Sequence, residues 1–195
     1  QTPYTGAYPS GKYFQTVAAA PLNMVDSTDG WTVEVVFKID GEWNNNYNRY
    51  TGIFSRQGLV ESLNEPSFSM ALTEHITGSP DGYISTDGTV GLQYLHVDAD
   101  EMMTNYEIMN GEIHGEQWYH YMVTSDGTYT EIYVNGKQVY AAAKNNELFS
   151  TDDFFGWEVG VGRKSGEGEA HMNTVHPEGM IRRLFCGSIA EIRFP

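Results

Sequence analysis

The chain has 195 residues, of which 40% are hydrophobic and 19% are charged, so it has enough apolar material for a folded core and is not an intrinsically disordered segment. Its formal net charge of −15 repels phosphate backbones and excludes nucleic acid as an expected partner. No apolar run approaches the roughly 20 residues of a membrane-spanning helix, so membrane insertion is not expected.

The apolar residues of the chain alternate with polar ones in many short segments, which predicts β-strands. Residues 1–12 come first, are rich in Pro, Gly and Ser, and are predicted to be a tether or an edge segment. Residues 31–39 form the clearest strand, because every second side chain from Trp31 to Ile39 is apolar. The other predicted strands are, in chain order, 13–17, 53–56, 68–72, 90–97, 118–124, 129–134, 158–162 and 188–194.

Turn signals and the absence of helical patterns define the fold class. The pairs Asp126-Gly127 and Asn135-Gly136 tolerate the positive φ of tight hairpin turns and predict consecutive antiparallel strands. Residues 102–106 are assigned to an acidic loop, and a helical turn is expected only within 141–149. Many strands without alternating helices predict an all-β, antiparallel β-sandwich.

Six short motifs follow one another in the order found in a known superfamily. They are residues 31–38, 53–58, 118–120, 132–137, 159–162 and 185–194. In these motifs the chain resembles the laminin-G-like, concanavalin A-like lectin and glucanase superfamily. The resemblance implies that residues 13–195 form one laminin-G-like domain, a jelly-roll sandwich of a kind that often binds sugars. Ala190 departs from the pattern, because members often have Asp before the Glu of the last strand.

The carboxylates that catalysis would need are missing from the expected strand. Glucanase-like members carry Glu-x-Asp-x-x-Glu, which brings acidic side chains to one face of the sheet. Here that strand has the single acid Glu131, and the Arg-x-Glu-x-Arg pattern of related lyases is also absent. We therefore expect no enzymatic activity. The alternative is a glycan-active hydrolase or lyase with atypical residues, drawing on Glu131, His120 and Arg56.

Two polar segments are candidates for sugar binding, because sugars stack on aromatic rings and pair with amide and charged groups. The first segment, residues 42–50, supplies the candidates Trp43, Asn45, Asn46, Tyr47, Arg49 and Tyr50. The second segment, residues 163–176, supplies Arg163, His171 and Asn173. The alternatives are a covering loop or domain interface for the first segment and a plain connecting loop for the second.

A cluster of oxygen ligands precedes the strand that begins at Trp31. Asp26 and Asp29 stand in a tight turn, and carboxylate oxygens are the ligands that calcium prefers. The superfamily resemblance implies a structural calcium where the first and last strands meet, with Glu191 as a co-ligand. The alternative for this cluster is an Asx-type turn that binds no metal. Apart from the calcium, we expect no cofactor to be required. The one cysteine, Cys186, excludes an intrachain disulfide and is expected to be a buried thiol.

The expected function is that of a non-catalytic carbohydrate-binding module of a secreted or cell-surface bacterial protein. Its expected partner is a poly- or oligosaccharide, and its expected location is extracellular, periplasmic or at the cell surface. The alternative is a protein-interaction or structural module that packs on a neighbouring domain of the same polypeptide.

Overall fold

The computed structural model describes residues 13–17, 20–25, 30–40, 51–56, 67–74, 90–97, 103–144, 146, 156–163 and 182–194. Within these ranges the chain forms β-strands and one short 3₁₀-helix, Pro21–Met24. No helix of this part of the chain is long and apolar enough to cross a membrane.

The strands are β1 (Phe14–Gln15), β2 (Trp31–Ile39), β3 (Gly52–Arg56), β4 (Phe68–Glu74), β5 (Val90–Val97), β6 (Met103–Ile113), β7 (Trp118–Ser125), β8 (Thr130–Val134), β9 (Lys137–Ala142), β10 (Trp157–Val159), β11 (Val161–Arg163), β12 (Arg182–Leu184) and β13 (Gly187–Arg193). One sheet has the order β1-β10-β3-β4-β5-β6 and the other has the order β13-β2-β7-β8-β9. β11 and β12 form a separate antiparallel ribbon. All the pairings within the two large sheets are antiparallel, as predicted.

The two large sheets pack face to face through the apolar side chains that the alternation predicts. On β2 the side chains of Trp31, Val33, Val35, Phe37 and Ile39 are all buried. The Trp31 ring lies 5.6 Å from that of Phe68 on β4, measured between centroids, and this joins the sheets near one end. The fold class is therefore confirmed as an all-β sandwich.

A β-bulge in β13 determines which of its side chains reach the core. Ile189 pairs with Phe37 and Glu191 pairs with Val36, so Ala190 is the extra residue between them. The bulge shifts the alternation by one position. As a result Ile189 and Ile192 both pack against the core.

Three expectations about single segments are wrong. Residues 103–113 form β6 rather than a loop, because they pair with β5 and the Tyr106 ring stacks on that of Tyr94. Ala141 and Ala142 belong to β9 rather than to a helical turn, since they pair with β8, while residues 145 and 147–149 of that expectation lie outside the described residues. Cys186 is exposed, because it immediately precedes β13, which lies at the edge of its sheet.

A buried arginine holds the 3₁₀-helix against the sandwich. Arg56 is buried, lies 5.2 Å from the centre of the Trp157 ring and donates a hydrogen bond to the carbonyl of Asn23. The indole nitrogen of Trp157 donates to the Leu22 carbonyl at 3.1 Å. Arg56 therefore has a structural role at this end of the molecule.

Candidate functional site

Both segments predicted to bind sugar are attached at the same end of the sandwich. Residues 41–50 and 164–181 lie outside the described residues, but the residues that flank them do not. Val159 pairs with Phe54, and the Gly160 N–H bonds to the Ile53 carbonyl, so the chain of β10 continues antiparallel to β3. Since β11 follows in that direction, Arg163 lies near the start of β3, where residues 41–50 end.

Of the predicted sugar-binding residues, Arg163 is the one that lies within the described ranges. The backbone of Arg163 ends β11 at that end of the sandwich. The other candidates lie outside the described residues, and their roles stay predictions: Trp43, Asn45, Asn46, Tyr47, Arg49, Tyr50, His171 and Asn173.

Four described side chains stand at the same end, and we call this surface the Trp118 patch: Lys38, Asp40, Glu116 and Trp118. Lys38 and Trp118 are directly opposite each other on β2 and β7. The Glu116 N–H bonds to the carbonyl of Ile39 at 2.8 Å. Asp40 precedes residue 41, so the patch adjoins the first of the two predicted segments.

Lys38 forms ion pairs with both carboxylates of the patch. Its ammonium nitrogen lies 3.0 Å from a carboxylate oxygen of Glu116 and 3.2 Å from one of Asp40. The hydrogen bond to Glu116, and then the one to Asp40, raise the pKa of Lys38 above its ordinary value. Both carboxylates are well exposed to solvent, and both form charge-assisted contacts with this one cation.

The turn before β7 fixes the position of Glu116. The φ of Glu116 is +62°, in the left-handed region that residues with a Cβ seldom occupy. The neighbouring backbone is fixed by Tyr119, whose hydroxyl accepts a hydrogen bond from the His114 N–H at 3.0 Å and donates one to the Gln117 side chain at 3.3 Å. Backbone held in this region costs energy and is enriched at functional sites.

Trp118 is the aromatic residue of the patch, and 51% of its surface is exposed. Alternation along β7 turns Tyr119 and Tyr121 into the core, so Trp118 and His120 point outward. Sequence reasoning used Trp118 as a signature of the fold and did not include it among the candidate site residues. Its position one residue before the buried Tyr119 is the signal that could have identified it as a surface residue.

A cavity of about 210 Å³ continues along the same face of the sheet, lined by Glu34, Val36, His120, Glu191 and Arg193. The His120 imidazole lies 3.1 Å from a Glu34 carboxylate oxygen. Arg193 binds Glu191 through two nitrogens, at 2.8 and 3.2 Å. The cavity therefore presents both hydrogen-bond donors and acceptors.

The three residues of the hydrolase alternative are not brought together. Arg56 is buried beside Trp157 in the six-stranded sheet, whereas His120 and Glu131 belong to the five-stranded sheet. Glu131 accepts hydrogen bonds from the Tyr133 hydroxyl at 2.9 Å and from the Gln138 amide at 2.6 Å.

The six-stranded sheet carries a polar row that sequence reasoning did not identify. Glu158 pairs with Ser55, and Ser55 pairs with Ser69, so the three lie side by side on adjacent strands. Their neighbours Phe54 and Met70 belong to the core, so by alternation the row faces away from the other sheet. All three are buried. This row places the carboxylate of Glu158 beside two serine hydroxyls. It is a buried polar cluster, separate from the exposed Trp118 patch.

The predicted calcium ligands receive no support from the strand register. Asp26 and Asp29 lie outside the described residues, and Gly30 follows them. Glu191 is opposite Val36, six residues beyond Gly30, which is about 20 Å along an extended strand. Glu191 also binds Arg193. No group of three or more His, Cys, Asp or Glu residues suited to a metal occurs in the described ranges, and the calcium site stays a prediction.

The comparisons with known proteins concern the fold. No protein-family model matches the sequence, and no curated protein is significantly similar to it. Among solved structures, the Limulus polyphemus SAP-like pentraxin has a TM-score of 0.56 and 16% identity, over 96% of this chain and 73% of that one. The Ruminococcus gnavus IT-sialidase CBM40, bound to α2,3-sialyllactose, has a TM-score of 0.56 and 13% identity, over 97% and 92% of the two chains.

A third similar structure is a putative carbohydrate-binding protein from Bacteroides ovatus, with a TM-score of 0.50 and 19% identity. The chain aligns over 96% of its own length and spans 39% of that structure. At these identities the similarity is one of fold. The protein thus has the antiparallel jelly-roll sandwich seen in this pentraxin and in CBM40.

Proposed function

We propose that this protein is a non-catalytic carbohydrate-binding module of a secreted or cell-surface bacterial protein, and that its site is the end of the sandwich with the Trp118 patch. One observation carries the proposal. Segments 42–50 and 163–176, selected for their aromatic, amide and charged residues, are attached to the same end, beside an exposed tryptophan. Sugar sites need such a combination of rings and planar polar groups.

The fold comparison supports this proposal. The R. gnavus CBM40 is bound to sialyllactose and aligns with nearly the whole of this chain. Two domains of one architecture often have different ligands, so the sugar itself is inferred from the charges of this chain. The patch has two carboxylates for one ammonium group, and the whole chain carries a net charge of −15. The excess negative charge of the patch and that of the whole chain repel anionic sugars. We therefore propose that the ligand is a neutral glycan.

The proposal is tested with a glycan array followed by calorimetric titration of the best neutral ligand. Trp43→Ala is expected to weaken binding at least severalfold, because an aromatic contact with the ring is lost. Tyr129→Ala is the control, since Tyr129 is an exposed aromatic residue beyond the other end of β7. Wild-type protein that binds no neutral glycan would refute the proposed function. Unchanged affinity of the Trp43 variant would remove segment 42–50 from the site.

A second candidate function is a module that packs on a neighbouring domain. Phe14 on the edge strand β1 is 76% exposed, and Val17 and Met24 nearby are exposed as well. Phe14 also borders a groove of about 420 Å³ that includes Phe185 and Ile189. Large exposed apolar patches often mark interaction surfaces. Hydrogen exchange at β1 and β13 tests this candidate: slower exchange in a longer polypeptide with the adjacent domain supports it, and equal exchange refutes it.

A further inference from the structure

We propose that the Trp118 patch is a distinct subsite for one neutral sugar ring, on the outer face of the five-stranded sheet. The inference rests on the proposed function and extends it to residues that motif reasoning assigned to the fold alone. The sugar ring would stack its C–H face on the Trp118 indole. Its hydroxyl groups would donate to the carboxylates of Asp40 and Glu116 and accept from the ammonium of Lys38.

The geometry carries the first step of this inference. Trp118 is half exposed at the start of β7, so about half of its surface is accessible to a ligand. Lys38 stands opposite it on the neighbouring strand, and strands in a sheet are about 4.8 Å apart. The two carboxylates lie within 3.2 Å of the Lys38 ammonium. Donors and acceptors are therefore in reach of a ring that stacks on Trp118.

The patch is also pre-ordered, which reduces the entropy lost on binding. Trp118 and Lys38 belong to paired strands, and sites on regular elements hold their geometry better than sites on loops. Glu116 is held in a left-handed conformation by its hydrogen bond to the Ile39 carbonyl. A residue with a Cβ retains that conformation only where the surrounding structure imposes it. The backbone from which the Glu116 side chain extends is thus fixed, and its carboxylate lies 3.0 Å from the Lys38 ammonium.

The cavity beside the patch indicates a ligand with more than one ring. Val36 and His120 are the next outward-facing pair after Lys38 and Trp118, and both line the cavity. The cavity presents the carboxylate of Glu34 and the guanidinium of Arg193, which can pair with further hydroxyls. A linear oligosaccharide that stacks on Trp118 would extend toward His120. Longer oligosaccharides are therefore expected to bind more tightly than a disaccharide of the same sugar.

The test uses calorimetric titration of the full 195-residue chain with four neutral probes: cellohexaose, mannohexaose, xylohexaose and laminarihexaose. For any probe that the wild type binds, Trp118→Ala is expected to raise Kd about tenfold, which corresponds to about 1.4 kcal/mol. Trp118→Phe keeps an aromatic ring, and its Kd is expected to lie between those of the wild type and of Trp118→Ala. Tyr129→Ala is expected to stay within about twofold of the wild type, because Tyr129 is exposed to a similar degree but lies away from the patch.

Failure of the subsite can be distinguished from failure of the proposed function. Suppose that a probe binds the wild type and the Trp118→Ala variant equally, and the Trp43→Ala variant more weakly. That result overturns the subsite and leaves the proposed function standing. A wild type that binds none of the four probes and no neutral glycan on the array overturns both. An equal loss in Trp118→Ala and Tyr129→Ala also overturns the subsite. Matching circular dichroism spectra of all variants establish that the fold is retained.

Discussion

Lys38 and Trp118 lie directly opposite each other on β2 and β7, and the lysine joins two carboxylates beside the exposed indole. The register that produces this pair runs without interruption from Trp31 opposite Ser125 to Lys38 opposite Trp118. A slip by one residue would turn Trp118 toward the core and Tyr119 toward solvent. The buried β2 face therefore fixes the exposed patch through the same register.

The left-handed conformation of Glu116 leads to a prediction about a pair of variants. Glu116→Gly and Glu116→Ala both lose the ion pair with Lys38, but only glycine adopts a φ of +62° without a Cβ penalty. The glycine variant is expected to be more stable by about 1 kcal/mol. Urea unfolding of the two variants measures the difference. An alanine variant at least as stable as the glycine variant would show that the turn is not strained.

Replacement by alanine is expected to destabilise the protein strongly at Trp157 and hardly at all at Trp118. Trp157→Ala removes a buried ring that stacks on Phe54 at 4.8 Å and supports Arg56, and it should cost about 3–5 kcal/mol. Trp118→Ala removes a half-exposed ring and should change the stability by about 0.5 kcal/mol or less. Urea midpoints of both variants test this. A large loss in the Trp118 variant would mean that this ring stabilises the sheet rather than serving a ligand.

Asp126 is predicted to contribute to acid stability. Its carboxylate accepts backbone hydrogen bonds from Tyr129 at 2.7 Å and from Thr128 at 2.9 Å, and these lower its pKa below the ordinary 3.8. A lowered pKa gives stability that is present above pH 3.8 and lost as the pH falls through the lower folded value. The stability of Asp126→Asn should therefore fall less steeply below pH 4 than that of the wild type. Parallel slopes of the two proteins would contradict the assignment.

The strands that were predicted well are those whose side chains alternate. β2 and β5 begin and end at the predicted residues, and β7 extends one residue further than expected. β6 was missed because the apolar residues of 103–113 do not alternate regularly, although its partner β5 directly precedes it in the chain. The bulge at Ala190 could not be predicted from local pattern either, because it appears only when β13 is paired with β2.

The sugar-binding residues chosen from the sequence stay predictions, and the structure adds where their two segments are attached. Composition identified segments 42–50 and 163–176, because the first has a tryptophan and two tyrosines among polar residues and the second supplies Arg163, His171 and Asn173. It could not show that both are attached at one end, since that follows from strand direction. The ion pairs of Lys38 and the polar row of Glu158, Ser55 and Ser69 likewise depend on the register of neighbouring strands.

We expect the end of the sandwich that carries the Trp118 patch to bind a neutral glycan. The most direct measurement is a two-dimensional amide NMR titration of the whole chain with the best neutral oligosaccharide from the array. We predict saturable shifts at Lys38, Asp40, Glu116 and Trp118, and none in the turn from Asp126 to Tyr129 at the other end of β7. Shifts confined to that turn, or no shift with any neutral glycan, would contradict the account.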